Sequence, residues 1–373
     1  MAQDKGSKNL NVPPLRFPGF TDEWNKTTLG KIAQVVKDKI STSVLQSNNY
    51  ISTENILQNF GGVNDNFNIP DNQNITKYAI GDILLANIRP YLKKIWLADR
   101  NGGCNADVLV FRPNNNSSFV YYSIANDKFC DYVMTGAKGV KMPRGDKEQI
   151  LKFEIGFPSE KEQQKIVRLL SLIDERIATQ NKIIEDLKKL KSAIYDKVFH
   201  SLKGERSSLG DVADIIKGKQ INGEFLTEVG DYYVMNGGVE PSGYYHNFNV
   251  SHNTISISEG GNSCGYIQWN SAPFWSGGHC YTLRIKNSVI ENKYLYHFLK
   301  WHENDIMRLR IGSGLPNIQK KDLANVTILI PKTSFQNQII HLMDSIDEKI
   351  EIESKVSLVF FRQRTYLLSQ MFI

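Results

Sequence analysis

The chain has 373 residues, 41% of them hydrophobic and 23% charged, which suffices for two or three globular domains with cores of their own. It holds no run of about 18 apolar residues, which excludes a helix-spanned membrane protein. The net charge of +6 suits a polyanionic partner without establishing one.

Residues 1–14 are polar, lack the apolar stretch of a signal peptide and read as a disordered lead. A first α/β region follows over 15–158. Its β-like runs include DILLANI (82–88) and ADVLVFR (106–112), and FVYYSIANDKFCDYVM (119–134) carries helical spacing. Asn87, Arg89, Tyr91, Lys93 and Lys94 follow a strand as a basic–aromatic cluster, and Lys138, Lys141 and Arg144 flank a Gly–Pro turn, GVKMP (139–143). These residue types serve base edges and phosphates.

A long helix is expected over 159–203, entered through a Ser159–Glu162 capping box after Pro158. Its apolar positions Ile166, Leu170, Ile173, Ile177, Ile184, Leu187, Ile194 and Val198 alternate in steps of four and three, with Gln180 and Lys191 in the polar slots. A second α/β region spans 204–332, with strands TISIS (254–258) and CYTLRI (280–285), Gly-rich turns at 236–245 and 258–265, and a helix within 292–306. Lys217, Lys219 and Gln220 follow its Leu-Gly start, and Asn236, Ser313, Asn317 and Lys320 sit in turns at matching places, which makes them candidates of the same kind. The last helix, 333–373, repeats the seam with Ile339, Met343, Ile346, Ile350, Phe360, Leu367 and Met371, and with Glu353, Ser357 and Arg364 in polar slots.

The second region repeats the first. A shift of 173 lays SLIDERI (171–177) on DSIDEKI (344–350), GVKMP on GSGLP (312–316), and EIGFP (154–158) on TILIP (327–331). TTLGKIAQVVKDK (27–39) likewise echoes SSLGDVADIIKGK (207–219). The fold class is therefore a duplicated mixed α/β chain with two long helices. Fifteen of twenty seam positions are apolar, so the helices are expected to pair with each other rather than each lie on its own domain. A parallel pair would set Lys191 against Arg364. An antiparallel pair puts Arg364 beside Asp174 and Glu175, Lys191 beside Asp347 and Glu348, and Gln180 against Ser357, and is preferred. Such a coil is roughly 50 Å long at ~1.5 Å per residue and would hold two similar surfaces apart.

No phosphate-binding GxxxxGK[ST] loop is present, and the one Pro-Pro, at 13–14, lacks an amide to hold a base. Asp146 and Glu148 complete no nuclease set with Asp71. His279-Cys280 reads as structural, and the four cysteines as buried thiols. No catalytic residue, cofactor or metal site is expected, and the chain is expected to be a non-enzyme of the cytoplasm.

The opening LRFPGFTDEW (15–24), the Leu29-Gly30 and Leu209-Gly210 starts, the Pro158 and Pro331 junctions, IDERI and IDEKI, and the ending LLSQMFI (367–373) make the chain resemble the specificity subunits of type I restriction–modification systems over its whole length. The resemblance implies two target recognition domains that each read one part of a split double-stranded DNA target. It also implies spacer helices that dock two methyltransferase subunits, which recruit two motor/nuclease subunits. A non-catalytic scaffold binding protein or RNA is the alternative reading.

Overall fold

In a computed structural model the chain is described over residues 11–64, 68–286, 288–312 and 314–373. It forms two compact units. Unit 1 runs to Asn181 and takes in Lys355–Ile373, and unit 2 is Lys182–Ser354.

Unit 1 begins with β1 (Asn25–Thr28), the short helix α1 (Leu29–Ile32), β2 (Ala33–Val35), β3 (Lys39–Ser41) and β4 (Tyr50–Ile51). After these come β5 (Asn74–Tyr78), β6 (Ile83–Ala86), β7 (Ile95–Leu97), β8 (Gly102–Cys104) and β9 (Val108–Pro113). Strands β2 to β9 make two sheets, ordered β2-β9-β6-β7 and β3-β5-β8-β4. The run Ile-Leu-Leu-Ala of β6 is buried at every position, as a strand covered on both faces must be. Helices α2 (Ser117–Ile124), α3 (Asp127–Thr135) and α4 (Lys147–Leu151) lead to β10 (Glu154–Phe157), which pairs antiparallel with β1. The single helix predicted within 119–134 is thus two. Asn126 interrupts it, because its side chain accepts the Phe129 N–H and starts α3 afresh.

Helix α5 (Glu160–His200) follows directly. Glu162, expected to close a capping box, is instead held by Arg16, whose Nε and Nη2 donate to its two oxygens at 2.6 and 2.8 Å. This pair ties the start of the helix to the N-terminal segment. Residues 1–10 of the predicted lead lie outside the described residues. Residues 11–14 do not behave as a disordered lead, since the Asn11 carbonyl accepts the Trp24 N–H and Pro13 is buried.

Unit 2 repeats the plan with β11 (Glu205–Ser208), α6 (Leu209–Val212), β12 (Ala213–Lys217), β13 (Tyr232–Met235), β14 (Tyr244–Tyr245) and β15 (Thr254–Ser258). Then come β16 (Ile267–Asn270), β17 (Trp275–Ser276), β18 (Cys280–Ile285), α7 (Asn292–Trp301), α8 (Glu303–Arg308), α9 (Lys320–Ala324) and β19 (Thr327–Ile330). The sheet β12-β18-β15-β16 has the strand order of β2-β9-β6-β7, and β11 pairs with β19 as β1 does with β10. Here too the predicted helix breaks, at His302, between α7 and α8. The last element is helix α10 (Thr333–Gln370).

The helix pair is antiparallel. In unit 1, Arg364 Nε donates to Asp174 at 2.5 Å and Ser357 donates to Asn181 at 2.8 Å, so α10 steps back seven residues as α5 advances seven. The partner expected for Ser357 was Gln180, one residue earlier. In unit 2, Lys191 reaches Asp347 at 2.5 Å, and His297 bridges Tyr195 to Asp344. Ile166, Leu170, Ile173, Leu367 and Met371 join the unit 1 core with Trp24 and Phe119, and Ile339 and Met343 join the unit 2 core with Tyr294 and Phe298. Ile177, Ile184, Leu187, Ile194, Val198, Ile346, Ile350 and Phe360 are only half-buried. The helices therefore pack on each other and on the domains as well, and the alternatives posed by the sequence are both realised. Tyr195, Phe199, Leu368 and Phe372 are buried as well but lie off the predicted seam.

Candidate nucleic-acid interface

In unit 1 the two candidate clusters, fifty residues apart in sequence, meet. The N–H of Arg89 donates to the Pro143 carbonyl at 2.7 Å, and the Asn87 side chain donates to the Gly145 carbonyl at 3.1 Å. Lys138 and Arg144 exchange backbone bonds of 2.9 Å in each direction, closing a turn whose Gly139 has φ of +99°, a left-handed conformation that favours glycine. Arg89 itself holds φ of +53° ahead of Pro90, so this loop is locally constrained. Arg89, Tyr91, Lys138, Lys141 and Arg144 are exposed on the assembled surface. Asp107 steers Arg144 from 2.9 Å, and Asp146 lies 3.1 Å from Lys138. The N–H of Gln149 and then Lys138 hold the Asp146 carboxyl below its ordinary range.

Lys93 and Lys94 do not join that surface as free cations. Lys93 pairs with Asp127 at 2.8 Å, which raises its pKa. Lys94 donates to the Thr53 carbonyl at 2.7 Å, and burial lowers its pKa.

Unit 2 builds the same turn. Ile311 and Asn317 exchange backbone bonds of 2.9 and 3.0 Å, and Gly312 has φ of +98°. The N–H of Gly261 donates to the Pro316 carbonyl at 2.9 Å, as Arg89 does to Pro143. Around the turn, Lys217 is paired with Glu259 at 2.6 Å, while Lys219 and Gln220 are exposed. Asn236 accepts the N–H of His279 at 3.1 Å. Asn317 and Lys320 are exposed, and Ser313 lies outside the described residues.

Two further residues belong to this surface. His279, read from sequence as structural, is 63% exposed beside Glu259, whereas its neighbour Cys280 is buried. Glu259 lies in the loop 258–265, which the sequence marks only as a turn. Laying Ile88-Arg89 on Gly260-Gly261 puts Glu259 in the place of Asn87, whereas no such signal marks His279.

Burial pushes the Cys104 and Cys130 thiols up to about 12 and Cys280 to about 11, which keeps them protonated. His297, Asp344 and Asp347 bring ligand-type atoms within 4.8 Å of one another. However, both ring nitrogens of His297 are engaged, by Tyr195 and Asp344, and Lys191 occupies Asp347. Burial holds His297 below its ordinary pKa. The cluster reads as an internal network that ties α7 to the helix pair. No helix among the described residues is long and apolar enough to cross a membrane.

Comparison with known proteins gives a consistent picture. The chain matches the type I restriction modification DNA specificity domain twice, over residues 21–189 and 203–358. It is 34% identical to a protein of Mycoplasma pneumoniae described as a type I specificity subunit, over 39% of each chain. The matches to this protein and to a second, from Mycoplasma genitalium, span about two-fifths of those relatives' length. A type I restriction enzyme specificity subunit of Methanocaldococcus jannaschii is 23% identical over 91% of this chain and 89% of its own. The crystal structure of a type I restriction-modification system S subunit from M. genitalium has the same fold, with a TM-score of 0.67 at 20% identity, covering 97% of this chain and 99% of that one.

Proposed function

This chain belongs to the family of type I restriction modification DNA specificity proteins, and from that premise we propose that it reads a split DNA target, one part with each unit. A specificity subunit is the recognition component of such a system, not its catalyst. The observation that carries the reading is the repeated turn. Each unit presents one at the same place in its fold, pinned to a neighbouring loop by the same backbone bond and flanked by groups that hydrogen-bond bases and phosphates. In unit 1 the readers are Asn87, Arg89, Tyr91, Lys138, Lys141 and Arg144. In unit 2 they are Lys219, Gln220, Asn236, His279, Asn317 and Lys320.

The antiparallel helices set the spacing of the two readers and dock two methyltransferase subunits. Supporting this, α5 and α10 leave large apolar side chains exposed, among them Leu190, Leu358, Val359 and Tyr366. The motor/nuclease subunits join through the methyltransferases, and the assembly works in the cytoplasm, where its DNA is. The test is co-expression with a type I methyltransferase subunit. A complex of two methyltransferases and one of these chains is expected, which binds one bipartite duplex. Failure to co-purify, or binding without sequence preference, would refute the reading.

A further inference from the structure

The turns carry one feature that phosphate contacts and hydrogen-bonded readout leave unused. At position 142 unit 1 presents Met142, 53% exposed, and the shift of 173 puts Leu315, 86% exposed, at the same point of unit 2. Val140, two residues from Met142, is fully exposed. A single exposed apolar side chain is ordinary. Here, however, the flanking positions have diverged, Lys138 to Ile311, Lys141 to Gly314 and Arg144 to Asn317, while the tip stays large and apolar in both. The ends of both turns are held. Reciprocal backbone bonds close each turn behind a left-handed glycine, and a third bond fastens it to the adjacent loop.

We propose that Met142 and Leu315 are wedges, each inserted at a base step of the DNA half-site its unit reads. The occupant is argued from charge. Arg89, Lys138, Lys141 and Arg144 are exposed on the Met142 turn and the loop it is bonded to, and although Asp146 and Asp107 pair with Lys138 and Arg144 the set keeps an excess of positive charge, a setting that attracts a polyanion and does not suit an apolar protein groove; the Leu315 tip, whose own neighbours are neutral, is assigned by the repeat. An apolar side chain on a fixed turn is the form such wedges take, and it favours steps that unstack easily. The inference rests on the proposed reading and adds a specificity element to it, because the wedge selects its step by deformability rather than by hydrogen bonds.

The experiment uses the assembled complex with its methyltransferase subunits and a duplex bearing the target mapped by methylation sequencing. Affinity is measured across a salt series for wild type, Met142→Ala, Leu315→Ala, Met142→Leu and Arg144→Ala. The two alanine variants should bind about tenfold more weakly at every salt, with an unchanged salt slope, whereas Met142→Leu stays near wild type. Arg144→Ala should flatten the slope. 2-Aminopurine walked through each half-site should brighten at one step away from the methylated adenine and lose that signal only with the alanine variant of the matching unit. Wild-type affinity in both alanine variants overturns the proposal. So does loss of methyltransferase co-purification, which would make the tips protein contacts. If the wild-type complex ignores the mapped duplex, the reading of function fails, and the wedges fail with it.

Discussion

The Gly–Pro turns of the two units share a backbone and differ in chemistry. Gly139 and Gly312 sit within a degree of each other in φ, and the same bond joins Arg89 to Pro143 and Gly261 to Pro316. Yet unit 1 offers Arg89, Lys138, Lys141 and Arg144 where unit 2 offers Gly261, Ile311, Gly314 and Asn317. Backbone bonds hold the shape, so side chains on the exposed rim are free to differ. Under the proposed reading, the basic rim of unit 1 suits phosphates, and Asn317 in unit 2 suits a base edge. The seams show the opposite behaviour. Arg364 from α10 sits on Asp174 of α5 in unit 1, and Lys191 from α5 sits on Asp347 of α10 in unit 2. There the same charge pairing is kept in both units.

The largest effect should come from breaking the seam pairs unequally. Asp174→Ala strands Arg364, which is only 4% exposed, and should cost about 3 kcal/mol in denaturant unfolding. Asp347→Ala frees Lys191, 15% exposed on a flexible stem, and should cost about 1 kcal/mol. Equal losses would break the comparison.

Next is discrimination. Asn317→Ala should lose about 1–3 kcal/mol of preference at one base pair of one half-site while leaving the salt slope intact, as competition binding would show. Arg144→Ala should weaken binding to all sequences alike and lower the salt slope by about one. Charge reversal of Lys94 should act differently again. Its ammonium is held by Thr53, so the variant should lower the melting temperature more than it lowers DNA affinity.

The smallest effect is the acid sensitivity of one buried histidine in unit 2, which has a tyrosine at its place in unit 1. His297 is the sixth residue of α7, and Tyr122, which donates to Asp174, is the sixth of α2. Burial holds His297 below 6.5, so the unfolded chain takes up the proton first. Stability should be pH-independent above about 6.5 and fall on acidification until the folded histidine also titrates. His297→Gln should flatten that fall in stability-versus-pH curves, and Tyr122→Phe should not.

The duplication, the antiparallel helices and the sheet-forming runs were legible because they are periodic, and periodicity survives without knowledge of contacts. Arg364 could be matched to residues 174–175 from spacing alone, since a helix fixes which residues share a layer. Side-chain destinations were not legible. Nothing in the string Tyr-Leu-Lys-Lys says that Lys93 finds Asp127 and Lys94 a carbonyl forty-one residues back. Glu162 fits a capping box locally, and only the fold brings Arg16 to it. The lone His279-Cys280 pair offers too few ligands for zinc and so reads as structural, and only the fold shows His279 exposed in the turn before β18 while Cys280 opens the strand and is buried.

The central claim is that each unit reads its own half of a split target. Methylation sequencing of cells carrying the complex with wild type, Asn317→Ala or Asn87→Ala tests it most directly. Two short motifs separated by a fixed gap are expected, with each variant relaxing a different motif and leaving the other unchanged. A continuous target, or a variant that alters both motifs together, would contradict the account.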